Sequence, residues 1–78
     1  MTTERIELEK LPPSLPLDDV NEEHRATVKT YCSAMLAGDQ FPPIILVREN
    51  DHYLISDGTH RIAAARLAGR VTIEAEIH

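Results

Sequence analysis

Between Tyr53 and Gly69, "YLISDGTHRIAAARLAG", the chain changes its hydrophobic period with almost nothing in between. Tyr53–Ser56 alternates as a strand does, and Thr59–Ala68 repeats at helical spacing. Only Asp57-Gly58 separates the two patterns, so a strand must turn into a helix within two residues. Gly58 suits that turn because it lacks a Cβ, which also lets a ligand approach the backbone closely. The first turn of the helix then carries His60 and Arg61. A helix N-terminus is already positive, because its first N–H groups lack acceptors, so a cation there is unfavourable by a few tenths to about 1 kcal/mol. An anion held jointly by the N–H groups, the imidazole and the guanidinium would resolve the conflict.

The rest of the chain predicts the order β-α-β-β-α-β. Arg5–Glu9 alternates Ile6 and Leu8 with charges, as a half-buried strand does. "KLPPSLPLDD" holds three of the five prolines and reads as an extended loop. A helix starting near Asp18 or Asp19, either of which can cap it, carries an apolar stripe of Val20, Val28, Tyr31 and Met35, with Cys32 and Leu36 alongside. Gly38 stops it. The continuous run "IILVR" suggests a strand covered on both faces. A turn at Glu49-Asn50-Asp51 or Asn50-Asp51 sends it into "HYLIS" as a hairpin. The alanine-rich helix ends at Gly69, and "TIEAEI" alternates as a strand with one wet face. These elements make an α/β chain, more narrowly α+β: a small mixed sheet with two helices in a single domain over residues 1–78.

Composition narrows the function classes. No apolar run approaches the ~20 residues of a membrane span, and "MTTERIELEK" lacks the apolar core of a secretory signal. One cysteine, Cys32, cannot form an internal disulfide. A cytoplasmic protein with no membrane association is expected. The net charge of −5 suits duplex DNA poorly. No specific DNA binding is expected at physiological salt, and a gel shift giving specific complexes at nanomolar protein in about 150 mM salt would contradict this. The four histidines and the cysteine show no zinc spacing.

Asp57-Gly58-Thr59-His60-Arg61 is the lead constellation. Thr59 offers a hydroxyl, His60 a donor or acceptor, and Arg61 a planar fork matched to phosphate oxygens. A purely structural alternative stands beside it: Asp57 or Thr59 caps the helix, and Arg61 reaches back to an acid such as Asp57 or Glu74. Glu22 and Glu23 fit the first turn of the earlier helix as ordinary dipole partners. His24, one turn into that helix on the apolar stripe, reads as buried or half-buried, with a phosphate contact as the alternative.

The stretch "FPPIILVRENDHYLISDGTHRIAAARLAG" followed by "TIEAEI" resembles the ParB/sulfiredoxin superfamily domain, most strongly over residues 41–78. In chromosome-partition ParB proteins the corresponding turn resembles Gly-Glu-Arg-Arg and binds the phosphates of CTP. Gly58 and Arg61 match it, while Thr59 and His60 depart from it, and no helix-turn-helix domain is expected. In sulfiredoxins the turn resembles Gly-Gly-Cys-His-Arg. His60 and Arg61 match, but Thr59 stands at the cysteine, and a hydroxyl without an activating base is a poor nucleophile. The ParB-like free serine kinases carry Asp-Gly-His-His-Arg, which Asp57, Gly58, His60 and Arg61 match.

What the resemblance implies is a site that binds nucleotide phosphates (of ATP, ADP or CTP) through Gly58, Thr59, His60, Arg61 and His24. If the domain is an enzyme, it would be a phosphotransferase using ATP or ADP on a small hydroxyl substrate. Mg²⁺ would assist, Asp57 would hold metal or substrate, and Glu22 or Glu23 would act as base. The alternatives are a non-catalytic, nucleotide-gated module acting with a DNA-binding or other protein partner or as a homodimer, and a ParB-like nuclease.

Overall fold

A computed structural model describes residues 3–13 and 22–78. Its elements are strand β1 (Thr3–Glu7), a 3₁₀ turn (Leu8–Lys10), helix α1 (Glu22–Leu36), strands β2 (Ile44–Glu49) and β3 (His52–Asp57), helix α2 (Thr59–Leu67) and strand β4 (Thr72–Ile77). The strands form one mixed sheet in the order β1-β4-β2-β3. β1 and β4 pair antiparallel, as do β2 and β3, while β4 and β2 are parallel. The predicted α+β order is the observed one.

One face of the sheet carries the core. Ile6 of β1, Ile44 and Leu46 of β2 and Ala75 of β4 are buried together with Val28 and Cys32 of α1 and Ile62, Ala63, Ala64 and Ala65 of α2. Full burial of a side chain such as Ile44 or Leu46 contributes about 1.5–3 kcal/mol. The three consecutive alanines let α2 lie close to its neighbours. Both helices end where expected. Gly38 N–H donates to Met35 O and Asp39 N–H to Ala34 O; Gly69 N–H donates to Arg66 O and Arg70 N–H to Ala65 O. This paired pattern satisfies carbonyls that a helix end otherwise strands. Asn50-Asp51 forms the hairpin turn, with Asn50 at φ 56°.

Several sequence expectations need correction. The first strand is not Arg5–Glu9 but ends at Glu7, where the chain tightens into the 3₁₀ turn. Leu8 stays buried because its N–H donates to Val71 O and Leu11 N–H closes back onto Leu8 O, so alternation continues without strand geometry. Arg66 holds this turn against α2 by donating to Leu8 O (2.9 Å) and Leu11 O (3.2 Å).

β2 is not covered on both faces. Ile44 and Leu46 are buried, but Val47 on the opposite face is 37% exposed, because both helices contribute to the same core. Leu36 does not join the core; it is 66% exposed at the end of α1. Val20 and the capping candidates Asp18 and Asp19 lie outside the described residues.

Candidate functional site

The approach to α2 begins with an irregularity in β3. Leu46 pairs with Ile55, yet Ile45 pairs with Asp57, so Ser56 is an extra residue in the ladder. Had the register continued, Asp57 would lie opposite the core residue Ile44. A bulge re-aims the side chains beside it, and the Asp57 carboxylate is 67% exposed rather than directed at the core.

Gly58 follows at φ 113°, ψ 19°, as the residue before the helix. A Cβ here would meet the Cγ2 of Ile44 and stand 2.7 Å from its Cβ. The close approach that this glycine permits is therefore to β2. The N-cap position falls on Gly58, so neither Asp57 nor Thr59 fills the capping role that the sequence offered them. The first intrahelical bond runs from Ile62 N–H to Gly58 O at 2.9 Å. The N–H groups of Thr59, His60 and Arg61 precede it and have no intrahelical acceptor.

Arg61 is anchored on three sides. Its Nη1 donates to Pro42 O at 2.7 Å and to Pro43 O at 3.0 Å, and its Nη2 to Asp57 Oδ2 at 3.0 Å. The side chain is only 14% exposed. The acid it reaches back to is Asp57, not Glu74. This ion pair offsets part of the charge conflict in the first turn, because a carboxylate just before a helix is favourable. His60 meets His24 of α1, their ring centroids 4.4 Å apart and tilted by 41°. His24 is half-buried, as expected.

A cavity of about 340 Å³ opens beside the turn, lined by Ser56, Asp57, Gly58, Thr59, His60, Arg61 and Tyr31. Tyr31 and Ser56 were missed as site residues. Tyr31 stands two turns from His24 on the same helix face, and that spacing was the available signal. Glu22 and Glu23 are not on the cavity wall. Both border a hollow with Arg25 and Lys29. Glu23 nonetheless starts an i, i+4 row through Thr27 to Tyr31, with Thr27 Oγ1 donating to Glu23 O at 2.9 Å. Cys32 is buried in the core, away from this wall. Among the described residues, no group of three or more His, Cys, Asp and Glu could hold a metal ion.

No family model and no curated protein matches the chain. Solved structures do. Sulfiredoxin from Arabidopsis thaliana superposes with a TM-score of 0.75 at 26% identity, covering 100% of this chain and 85% of that one. Free serine kinase in complex with AMP gives a TM-score of 0.73 at 25% identity, covering 97% of this chain. The fold is ParB/sulfiredoxin-like. A variant of free serine kinase in complex with ADP matches with a TM-score of 0.72 at 25% identity, over 100% of this chain. This chain spans only 30% of the kinase's length in the AMP complex and 31% in the ADP complex. Among the described residues, no helix is long and apolar enough to cross a membrane.

Proposed function

We propose that the ParB/sulfiredoxin-like site at Gly58–Arg61 binds the phosphate groups of a nucleotide and transfers a phosphoryl group to a small hydroxyl substrate. The observation that carries this reading is the α2 N-terminus. Three N–H groups without intrahelical acceptors belong to residues that also line the 340 Å³ cavity, and such a terminus favours phosphate. Support comes from neighbours of the same fold that are complexes with AMP and ADP.

In this reading the Thr59 hydroxyl and the His60 imidazole add hydrogen bonds to phosphate oxygens, with His24 behind His60. Arg61 supports the phosphate site while its own fork is engaged by Asp57 and two carbonyls. Asp57 is the acid on the cavity wall. One carboxylate together with phosphate oxygens is a usual ligand set for Mg²⁺, which would neutralise phosphate charge there. Glu23 is preferred to Glu22 as the base, because its helical row leads to Tyr31. The substrate oxygen bonds the terminal phosphorus, the bond to the leaving phosphate breaks, and the hydroxyl proton passes to the carboxylate.

The second reading, a nucleotide-binding module without catalysis, is favoured by the place of both glutamates off the cavity wall. The nuclease alternative requires metal-binding acids, and the described residues offer no such group of three.

Turnover of ATP, ADP and CTP, with and without free serine, separates these readings. Asp57→Asn is expected to lower turnover roughly a hundredfold or more. Its stability should stay within about 1 kcal/mol of wild type, because the pair it weakens is largely exposed on the Asp57 side. Glu23→Gln should follow it in turnover. Full turnover in both variants would remove these residues from the mechanism. Nucleotide binding by wild type without turnover would establish the module instead.

A further inference from the structure

A second, larger cleft of about 580 Å³ lies on the other side of Arg61. It exists because the sheet splits there: β2 pairs with β4 only from Ala75 onward, so Thr72–Glu74 has β1 on one side and no β2 partner on the other. The 39–43 segment forms the opposite wall with Asp39, Phe41 and Pro42. Among the described residues, three arginines line this cleft: Arg5 from β1, Arg61 from α2 and Arg70 from the α2–β4 connection.

Their compensation is unequal. Arg61 is held by Asp57. Arg70 is fixed by donating to Met35 O at 2.8 Å, a neutral acceptor, and among the described residues neither Arg70 nor Arg5 has a carboxylate within 4.0 Å. Arg5 and Arg70, which have no ion pair among the described residues, thus line one cleft in a chain of net charge −5, with Glu74 opposite Arg5 in the β1–β4 ladder. Asp39 and Glu74 also border it, so among the described residues the lining carries three positive and two negative side chains. Met35, Phe41 and Ala65 supply an apolar floor.

We infer that this cleft is a binding site for a small dicarboxylate. Planar guanidinium forks match carboxylates in pairs, the volume falls in the range of small-molecule sites, and the unpaired stretch of β4 adds backbone groups along one wall. The two acids exclude densely charged polyanions, which favours a compact ligand with two separated charges. The inference does not depend on nucleotide binding at the α2 turn.

Amide NMR of the intact chain tests it with succinate, using the uncharged diamide of succinate as control and inorganic phosphate as comparison. Succinate is expected to give saturable shifts at Asp39–Phe41 and Arg70–Glu74, the diamide none, and phosphate its shifts at Gly58–Arg61 instead. Arg5→Gln, at an exposed strand position, should keep the fold and weaken succinate roughly tenfold, the scale of one lost charge-assisted hydrogen bond. The absence of saturable shifts at the cleft up to about 10 mM succinate would overturn the assignment. Equal shifts with the diamide, or unchanged affinity in Arg5→Gln, would also overturn it. Failure of phosphate alone to bind bears on the α2 turn and leaves the cleft result standing.

Discussion

Gly58→Ala is expected to cost roughly 3 kcal/mol of folding stability, the joint effect of backbone strain and overpacking. In a domain of this size that lowers the melting temperature by roughly 12–24 °C. Two causes act together. The residue sits at φ 113°, where an L side chain is strained, and its added Cβ would overlap Cγ2 of Ile44 and approach its Cβ to 2.7 Å. Ile44 is fully buried on central strand β2, so it cannot move aside into solvent. Thermal melting followed by circular dichroism measures the loss, and a shift of only a few degrees would show that the turn relaxes at little cost. The cause is checked by pairing the change with Ile44→Ala. Removing Cγ2 relieves part of the overlap, so the double variant should be more stable than the sum of the single losses predicts.

The same glycine shows where sequence reasoning reaches its limit. The period change at Asp57-Gly58 located the end of β3 and the start of α2 to within a residue, because hydrophobic spacing is a local property. The hairpin at Asn50-Asp51 and the stops at Gly38 and Gly69 were legible for the same reason. What occupies the space beside Gly58 was not, since Ile44 is fourteen residues away and meets it only after the sheet forms. The bulge at Ser56 leaves no mark in the pattern "HYLISD", yet it decides that Asp57 leaves the core face.

Pairing across elements was hidden in the same way. His24 was legible as buried or half-buried from its phase on the apolar stripe, but its neighbour His60 lies 36 positions away on another helix. The run "IILVR" misled because an apolar run can mark a strand covered twice or a strand covered once. With both helices packed into the same core, Val47 stays on the open face. Leu8 misled in the opposite direction: its burial was correct, but a 3₁₀ turn anchored to Val71 provides it.

Arg61→Ala carries the other large effect. As a side chain aimed only at a ligand, Arg61 could be removed without harm to the fold. Its three anchors predict otherwise. Of these, the ion pair contributes least, because Asp57 is 67% exposed and such pairs are worth about 1 kcal/mol or less. The carbonyls matter more. Pro42 and Pro43 enter β2, and their oxygens meet Arg61 Nη1 at 2.7 and 3.0 Å, the second in a partly buried setting. Stranding a fully buried acceptor costs about 1–3 kcal/mol; the Pro42 carbonyl is exposed and the Pro43 carbonyl partly buried, so the loss falls at the lower end of that range. Arg61→Ala should therefore lose roughly 1–2 kcal/mol in urea unfolding, while Asp57→Asn loses less than half of that. High salt should shrink the Asp57 contribution and leave the carbonyl contribution in place. Arg61→Lys separates the two further, because one ammonium cannot reproduce a fork that spans both a carboxylate and the carbonyls; it should recover only part of the loss. Stability of Arg61→Ala within about 0.5 kcal/mol of wild type would show that the anchors are dispensable and return the side chain to the ligand. The expected loss, by contrast, makes Arg61 the clamp between α2 and the entry to β2, so that the shape of the proposed phosphate site depends on the same group that fixes the fold around it.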